Sequence, residues 1–180
     1  MLKIMRIAVY CSARTAIAPE CFEDARTLGR WIGSGGHTLV YGGLQMGLMD
    51  AVASATAEAG GRVMGVVPQT RAQRQHPDNS VSIAVSSLHE RKQTMEENAD
   101  AFVALDGGYG TLDEVMSALA SMSFFSEPKP LILLNRGGLY DPLMAMFAEM
   151  ERRGLMYPEV ARQITLCPDI DSLIHALEQL

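Results

Sequence analysis

Short apolar runs alternate with segments of helical spacing along the whole chain. Residues 6–10, 38–41, 62–67, 80–85, 101–105, 131–134 and 164–167 form runs that predict strands. Apolar residues at helical spacing predict helices over residues 19–32, 47–59, 87–100, 111–122, 139–153 and 170–180. Strands that alternate with helices at this rhythm predict an α/β fold, with a mostly parallel sheet and helices on both of its faces.

No segment is long or polar enough to separate two domains, so the pattern predicts a single domain over residues 1–180. The most polar stretch, residues 70–79 (TRAQRQHPDN), is predicted to be a mobile surface loop. Ser87, with Glu90 three residues later, matches a capping box and predicts a helix start.

The stretch over residues 101–114 predicts an anion site. An apolar strand breaks into Asp106-Gly-Gly-Tyr-Gly110, and an apolar-periodic helix follows. Glycines allow a tight turn that brings backbone N–H groups close to a ligand, and a helix N-terminus attracts negative charge. Thr111 and Glu114 also match a capping box, in which the glutamate would only satisfy a backbone amide. Spacing alone leaves both interpretations open.

A second glycine-rich turn follows the strand at 38–41, and Ser12 to Arg14 follow the first strand. Ligands of parallel α/β sheets bind beyond the carboxyl ends of the strands. Because all three segments lie at such ends, they are predicted to face one crevice, with Arg14 on its second lip. This arrangement favours a nucleotide or sugar-phosphate site.

Several common nucleotide and hydrolase motifs are absent from the sequence. Neither glycine turn matches GxxxxGK[ST], and the first strand is not followed by GxGxxG. These absences argue against a P-loop NTPase and against a dinucleotide cofactor. No GxSxG elbow is present, so the sequence does not predict a serine hydrolase of that type.

Composition narrows the function classes further. The net charge of −6 argues against a nucleic-acid partner. Three widely spaced cysteines without a CxxC pair fit a reducing compartment, and the four histidines lack metal-ligand spacing, so no metal is expected. No apolar run approaches the roughly 18 residues that span a bilayer, and Arg6 interrupts the N-terminal apolar run. We therefore expect a cytoplasmic protein without membrane attachment.

Several segments together resemble one family. Residues 99–114 (ADAFVALDGGYGTLDE) are close to the PGGxGTxxE signature of the Lonely Guy (LOG) family. Residues 88–92 (LHERK) resemble its MHERK segment, and residues 41–49, which contain YGG and GLM, resemble its YGGxxxGLMG segment. Residues 9–12 with Pro19, and residues 129–143, also look similar. The joint presence of these segments in the right order makes the resemblance specific.

The resemblance implies a Rossmann-like fold and an enzyme of nucleotide metabolism. Family members are cytokinin riboside 5′-monophosphate phosphoribohydrolases or wider nucleoside 5′-monophosphate nucleosidases, which release a free base and ribose 5-phosphate. It implies a homodimer or larger homo-oligomer, a small-molecule nucleotide as partner and no cofactor. The implied catalytic residues are Arg91 and Glu114. Phosphate or substrate binding is implied for Gly107, Gly108, Tyr109, Gly110 and Thr111, and is expected also for Ser12, Gly43, Leu88 and Lys92.

The sequence departs from the family pattern at three places. Asp106 replaces the proline before the two glycines, which adds a negative charge near the proposed anion. Asp50 replaces the glycine after GLM, and residues 121–126 (SMSFFS) replace a tryptophan-containing stretch. The base pocket is therefore expected to differ. Met116, Met122, Phe124 and Phe125 are candidates for the wall of the base pocket or for a dimer interface, although core packing is the simpler role for the methionines. A prenylated adenine should not be assumed as substrate.

Two further readings stay open. A non-catalytic carrier on the same scaffold, similar to molybdenum-cofactor carrier proteins, or a nucleotide-binding regulatory subunit, would use the same glycine loops. The presence of both Arg91 and Glu114 favours the enzyme. Judged without the resemblance, Arg91 and Lys92 would more simply be solvated charges on a helix surface.

Overall fold

Seven parallel strands form one sheet in the computed structural model, which describes residues 3–123 and 128–180. The strands are β1 (Arg6–Tyr10), β2 (Thr38–Tyr41), β3 (Arg62–Pro68), β4 (Val81–Val85), β5 (Ala101–Ala104), β6 (Leu131–Leu134) and β7 (Ile164–Cys167). Their order is β4-β3-β2-β1-β5-β6-β7, and every neighbouring pair is parallel. The prediction of a Rossmann-like α/β fold is confirmed, and the described sheet is parallel throughout.

Seven helices cover the sheet. They are α1 (Pro19–Ser34), α2 (Gly47–Glu58), α3 (Leu88–Glu97), α4 (Tyr109–Met122), α5 (Asp141–Arg152), α6 (Pro158–Ala161) and α7 (Ile170–Glu178) within the described residues. Each predicted helix is present, but α3 ends at Glu97, three residues earlier than expected, and Asp100 instead accepts a hydrogen bond from the Arg6 N–H (2.7 Å). The four-residue α6 was not predicted, since one turn is too short to show a period.

Two apolar cores lie on opposite faces of the sheet. Residues of α1, α2 and α7 pack on one face, and residues of α3, α4, α5 and α6 pack on the other. The central strands β1 and β5 are buried on both faces, which explains why their sequences are continuous apolar runs.

The prediction that residues 70–79 form a mobile loop is wrong. A 3-10 helix, Gln69–Arg74, begins the segment, and the side chain of His76 behind it is 1% exposed. The His76 Nδ1 accepts from the Asp78 N–H (3.1 Å), while its Nε2 lies 3.1 Å from Asp50 Oδ1 and 3.3 Å from Ser54 Oγ. The segment lies on the surface, but this buried imidazole fixes it to α2.

The chain order creates a switch point at the centre of the sheet. From β1 the chain proceeds outward through β2, β3 and β4, and then returns to place β5 on the other side of β1. The connections that leave β1 and β5 therefore diverge and open a crevice at their carboxyl ends. Among the described residues, no helix is long and apolar enough to cross a membrane.

Candidate active site

A cavity of about 350 Å³ opens at the carboxyl ends of β1, β2 and β5. It is lined by Val9, Cys11, Ser12, Ala13, Arg14, Gly42, Met49, Arg91, Gly108, Tyr109, Gly110, Thr111 and Glu114. The crevice predicted from the strand ends is therefore present. It brings together Ser12, Arg91, Glu114, three residues of the glycine turn (Gly108, Tyr109 and Gly110) and Thr111.

One wall of the cavity is the N-terminus of α4. Gly108 is the N-cap residue, and no side chain caps the helix. The first closing bond runs from the Leu112 N–H to the Gly108 carbonyl (3.0 Å), so the N–H groups of Tyr109, Gly110 and Thr111 precede it. A Cβ added at Gly108 or Gly110 would meet no atom within 4 Å, so the backbone is open to a ligand there.

The capping-box alternative for Thr111 and Glu114 is wrong. The helix begins at Tyr109, so Thr111 is its third residue and not its N-cap. The Thr111 side chain packs closely over Gly107, where a Cβ would overlap its Oγ1. Glu114 is free to point into the cavity instead.

Glu114 lies one turn inside α4, with a side chain that is 14% exposed. Burial raises the pKa of its carboxyl to about 7, and the nearby charge of Asp113 adds to this rise, while Arg91 acts in the opposite direction. A carboxyl with this pKa is present in both protonation states near neutral pH, which suits a group that exchanges protons.

Arg91 faces Glu114 from α3. Its Nη1 lies 3.8 Å from Glu114 Oε1, an ion pair just beyond hydrogen-bond distance. Its Nε donates to the Val66 carbonyl (3.1 Å), and its Nη2 donates to the Gly42 carbonyl (2.8 Å). The side chain is 14% exposed, so Arg91 is not a solvated surface charge.

Gly42 lies beneath the guanidinium of Arg91. A Cβ at this position would overlap Arg91 Nη2 and lie 2.8 Å from Met49 Sδ. Only glycine leaves room for the arginine at the end of β2. The sequence singled out the neighbouring Gly43, whose carbonyl accepts from Asn79 Nδ2 (3.1 Å) and which does not line the cavity.

The segment Ser12–Arg14 forms the second lip. Its position is fixed by the Ser12 N–H, which donates to the Asp106 carbonyl (3.0 Å), and by the Leu48 N–H, which donates to the Ser12 carbonyl (2.9 Å). The Ser12 hydroxyl accepts from the Arg14 N–H (3.0 Å). The lip is thus attached to the turns on both of its sides.

Four of the predicted binding residues lie outside the lining of this cavity. Lys92 Nζ donates to Asp113 Oδ1 (2.7 Å), and the Leu88 side chain is largely exposed on α3. Gly43 packs against β3, and Gly107 lines a neighbouring cavity. Phe124 and Phe125, the candidates for the base pocket, lie outside the described residues.

Asp106 does not line the main cavity. Its carboxylate accepts from the Cys21 thiol (3.2 Å) and lines a separate cavity of about 440 Å³ together with Gly107 and Leu139. Burial and this hydrogen bond raise the pKa of Cys21 to about 11. The substitution of the family proline therefore attaches the glycine turn to α1.

Sequence reasoning covered Cys11, Ala13 and Gly42 only as parts of the predicted lip and of the second glycine turn, and it did not single out Val9 or Met49 as site residues. Two signals could have found some of them. Val9 and Cys11 alternate along β1 and its continuation, so they share one side of the strand. Met49 belongs to the GLM segment of the resemblance. Within the described residues, no group of three or more His, Cys, Asp or Glu side chains could hold a metal ion.

Comparison with known proteins decides the family. Residues 49–177 match a family model described as "Possible lysine decarboxylase". The chain is 37% identical to the Oryza sativa subsp. japonica protein named "Probable cytokinin riboside 5′-monophosphate phosphoribohydrolase LOGL9", over 98% of this chain and 79% of the relative. The chain belongs to the LOG family. An Arabidopsis thaliana relative, named cytokinin riboside 5′-monophosphate phosphoribohydrolase LOG5, is 34% identical over 98% of this chain and 78% of its own.

Solved structures confirm the fold of this LOG-family protein. The molybdenum cofactor carrier protein of Chlamydomonas reinhardtii superposes with a TM-score of 0.79, at 24% identity and with 98% of both chains covered. At this level of identity, the similarity shows a shared fold only.

Proposed function

We propose that this protein hydrolyses the N-glycosidic bond of a purine or cytokinin nucleoside 5′-monophosphate and releases the free base and ribose 5-phosphate. The observation that carries the proposal is the position of Glu114. A buried carboxyl with a pKa near 7 lies one turn behind an open helix N-terminus and beside an arginine. The activity in the names of the Oryza sativa and Arabidopsis thaliana relatives supports the same reaction.

The open turn of α4 suits the 5′-phosphate. Three N–H groups, those of Tyr109, Gly110 and Thr111, precede the first bond of the helix, and the helix dipole adds positive potential at the same place. Gly108 and Gly110 allow a phosphate to approach the backbone closely. With the phosphate held there, the ribose would lie toward Glu114, deeper in the cavity.

The chemistry assigned to Glu114 follows from the reaction. When the bond between C1′ and the base nitrogen breaks, its electron pair leaves with the base and positive charge develops on the ribose. The ionised carboxylate stabilises this charge and accepts a proton from the water that forms the new bond to C1′. The departing base takes up one proton, which balances the hydrolysis.

Arg91 acts in this proposal as a positioning residue. Two of its nitrogens are fixed by the carbonyls of Val66 and Gly42, so its charge stays next to Glu114. This charge lowers the pKa of Glu114 and offsets part of the effect of burial. A useful fraction of the carboxyl is thereby ionised at neutral pH.

The test is base release. The purified protein is incubated with AMP, GMP, CMP and N6-isopentenyl-AMP, and the free base is measured by chromatography. The Glu114→Gln variant should lose at least about 10²-fold in kcat, because the amide can neither accept the proton nor balance the charge. It should retain nucleotide binding. The matched control is Glu58→Gln, at an exposed position on α2, which should behave as the wild type.

The result also separates the alternatives. Unchanged turnover in Glu114→Gln would refute the assigned role. Tight nucleotide binding by the wild type without release of any base would favour a carrier or a regulatory protein on the same scaffold. The expected homodimer or larger homo-oligomer stays a prediction, which light scattering on the purified protein would test.

A further inference from the structure

Three cationic side chains were expected near the phosphate, and two of them are occupied by protein groups. Arg91 donates to the carbonyls of Gly42 and Val66 and pairs with Glu114. Lys92 pairs with Asp113 at 2.7 Å and does not line the cavity. Neither can turn to a phosphate without breaking these contacts.

Arg14 is the remaining cation in the cavity lining. Its side chain is exposed and makes no hydrogen bond or ion pair with any residue that the structure describes. Its guanidinium offers five N–H donors in a fork that matches phosphate oxygens. An unused guanidinium at the mouth of a cavity is available to a ligand.

The backbone of Arg14 is held firmly, although its side chain is free. The Ser12 hydroxyl accepts from its N–H at 3.0 Å, and Ser12 itself is bonded to both neighbouring turns. Gly47 packs so closely on this lip that a Cβ there would lie 2.7 Å from the Arg14 carbonyl oxygen. The side chain therefore starts from a fixed point, which reduces the entropy lost when it binds.

The charges of the lining residues indicate in which cavity the Arg14 guanidinium would bind an anion. Arg14 lies in the walls of three adjoining cavities. The two flanking cavities contain the carboxylates of Asp50 and Asp106 and no Lys or Arg besides Arg14 in their lining, whereas the carboxylate of Glu114 in the central cavity is paired with Arg91. The central one contains the open N–H groups of α4, but their dipole amounts to only about half a positive charge, and a phosphate monoester carries up to two negative charges.

We propose that Arg14 binds the 5′-phosphate of the substrate across from the N-terminus of α4. It is thereby the residue that makes this site prefer a nucleoside monophosphate to the corresponding nucleoside. The inference rests on the proposed function, because it assigns the phosphate of that substrate. It makes Arg14 a specificity residue with an effect on binding and little effect on the bond-breaking step.

The kinetic test compares Arg14→Ala, Arg14→Lys and the wild type on AMP and adenosine. Arg14→Ala should raise the KM for AMP by about 10- to 100-fold, the equivalent of one lost charge-assisted contact, and leave kcat within about threefold. Hydrolysis of adenosine should not change, so the preference for the monophosphate should fall by the same factor. The KM of Arg14→Lys for AMP should lie between those of the wild type and Arg14→Ala, because lysine keeps the positive charge but lacks the forked N–H donors of arginine.

Arg30→Ala serves as the matched control. Arg30 is an exposed arginine of α1 whose Nη2 donates to Thr27 Oγ1, and it does not line the cavity. Its removal should leave KM for AMP unchanged. An equal rise of KM in both variants would mean that the effect is general electrostatics, and the proposal would be overturned.

Calorimetry with ribose 5-phosphate and ribose separates this inference from the proposed reaction. Arg14→Ala should bind ribose 5-phosphate about tenfold or more weakly than the wild type, whether or not either protein releases a base. Equal affinity for ribose 5-phosphate in the two proteins would refute the role of Arg14, even if base release were established. If the wild type released no base and Arg14→Ala still lost affinity for ribose 5-phosphate, only the proposed reaction would be refuted.

Discussion

The two glycine-rich turns of this protein look alike in sequence and differ in what fills them. Both follow a buried parallel strand, both precede a helix, and both lie at the same edge of the sheet. In the β2–α2 turn, protein atoms occupy the space beside each glycine. In the β5–α4 turn, two glycines face open space. The β2–α2 turn is therefore packed against other parts of the protein, whereas the β5–α4 turn is open to a ligand.

Long-range contacts account for the packed turn. Gly47 has a φ of +53°, and a Cβ on it would lie 2.6–2.7 Å from backbone atoms of Ser12, Ala13 and Arg14. One of the first N–H groups of α2 also has a partner, since the Leu48 N–H donates to the Ser12 carbonyl. The Leu48 N–H is therefore not available to an anion, and the cavity beside Gly47 contains the carboxylate of Asp50, which disfavours one.

The two turns nevertheless work together through one side chain. Arg91 donates to the Gly42 carbonyl in the packed turn and pairs with Glu114 behind the open one. The packed turn thus positions the charge of Arg91, which lowers the pKa of Glu114 beside the open turn. Glycine content alone does not distinguish a packed turn from a ligand-binding turn, because the difference depends on residues far away in sequence.

The largest expected effect comes from Gly47→Ala. The added methyl group would lie within 2.7 Å of three backbone atoms of the Ser12–Arg14 segment, at a φ that L-residues rarely adopt, so the free energy of unfolding should fall by about 4 kcal/mol or more. Urea unfolding measures this loss. Gly60→Ala is the control, because Gly60 has a φ of +84° and open space around it, and should lose only about 1–2 kcal/mol. Equal losses would show that Gly47 is not packed against the lip.

Removal of the connecting side chain should have the next largest effect. Arg91→Ala leaves two carbonyls and the buried Glu114 without their partner, and should lower the free energy of unfolding by about 2–4 kcal/mol. It should also raise the pKa of Glu114 further above about 7, since Arg91 lowers it. A change below about 1 kcal/mol would contradict the connection between the turns.

Stability should depend on pH through Glu114. Its pKa is about 7 in the folded protein, above the ordinary 4.5, so folding favours the protonated form. The contribution is complete below about pH 4.5 and is lost as the pH rises through 7. The Glu114→Gln variant does not titrate at this position, so its free energy of unfolding relative to that of the wild type should rise by roughly 1–3 kcal/mol between pH 5 and pH 8. Parallel pH profiles of urea unfolding for the two proteins would refute the raised pKa.

The smallest effect on stability is expected at the open turn. Gly110→Ala adds a methyl group in open space within the first turn of α4, so the free energy of unfolding should change by no more than about 1 kcal/mol, and upward if at all. The methyl group should still hinder the close approach of phosphate, and affinity for ribose 5-phosphate should fall. A variant that binds ribose 5-phosphate normally would move the phosphate away from this turn.

The sequence by itself determined the order of elements and the place of the crevice. Apolar runs and helical spacing are local signals, so all seven strands and six of the helices could be predicted within a few residues. The parallel sheet followed from the alternation, and the crevice followed from the strand ends. Arg91 and Glu114 were found through the resemblance, because two residues on different helices show no shared spacing.

Only the tertiary structure decided how individual side chains are used. It placed the polar His76 in a buried contact with Asp50, turned Asp106 toward Cys21, and put Gly42 rather than Gly43 under the guanidinium of Arg91. It also engaged Lys92 with Asp113 and left Arg14 free. The physical reason is the same in each case. Periodicity reports which face of an element is buried, whereas a hydrogen bond, a burial-induced pKa shift or an open backbone depends on partners that are distant in the chain.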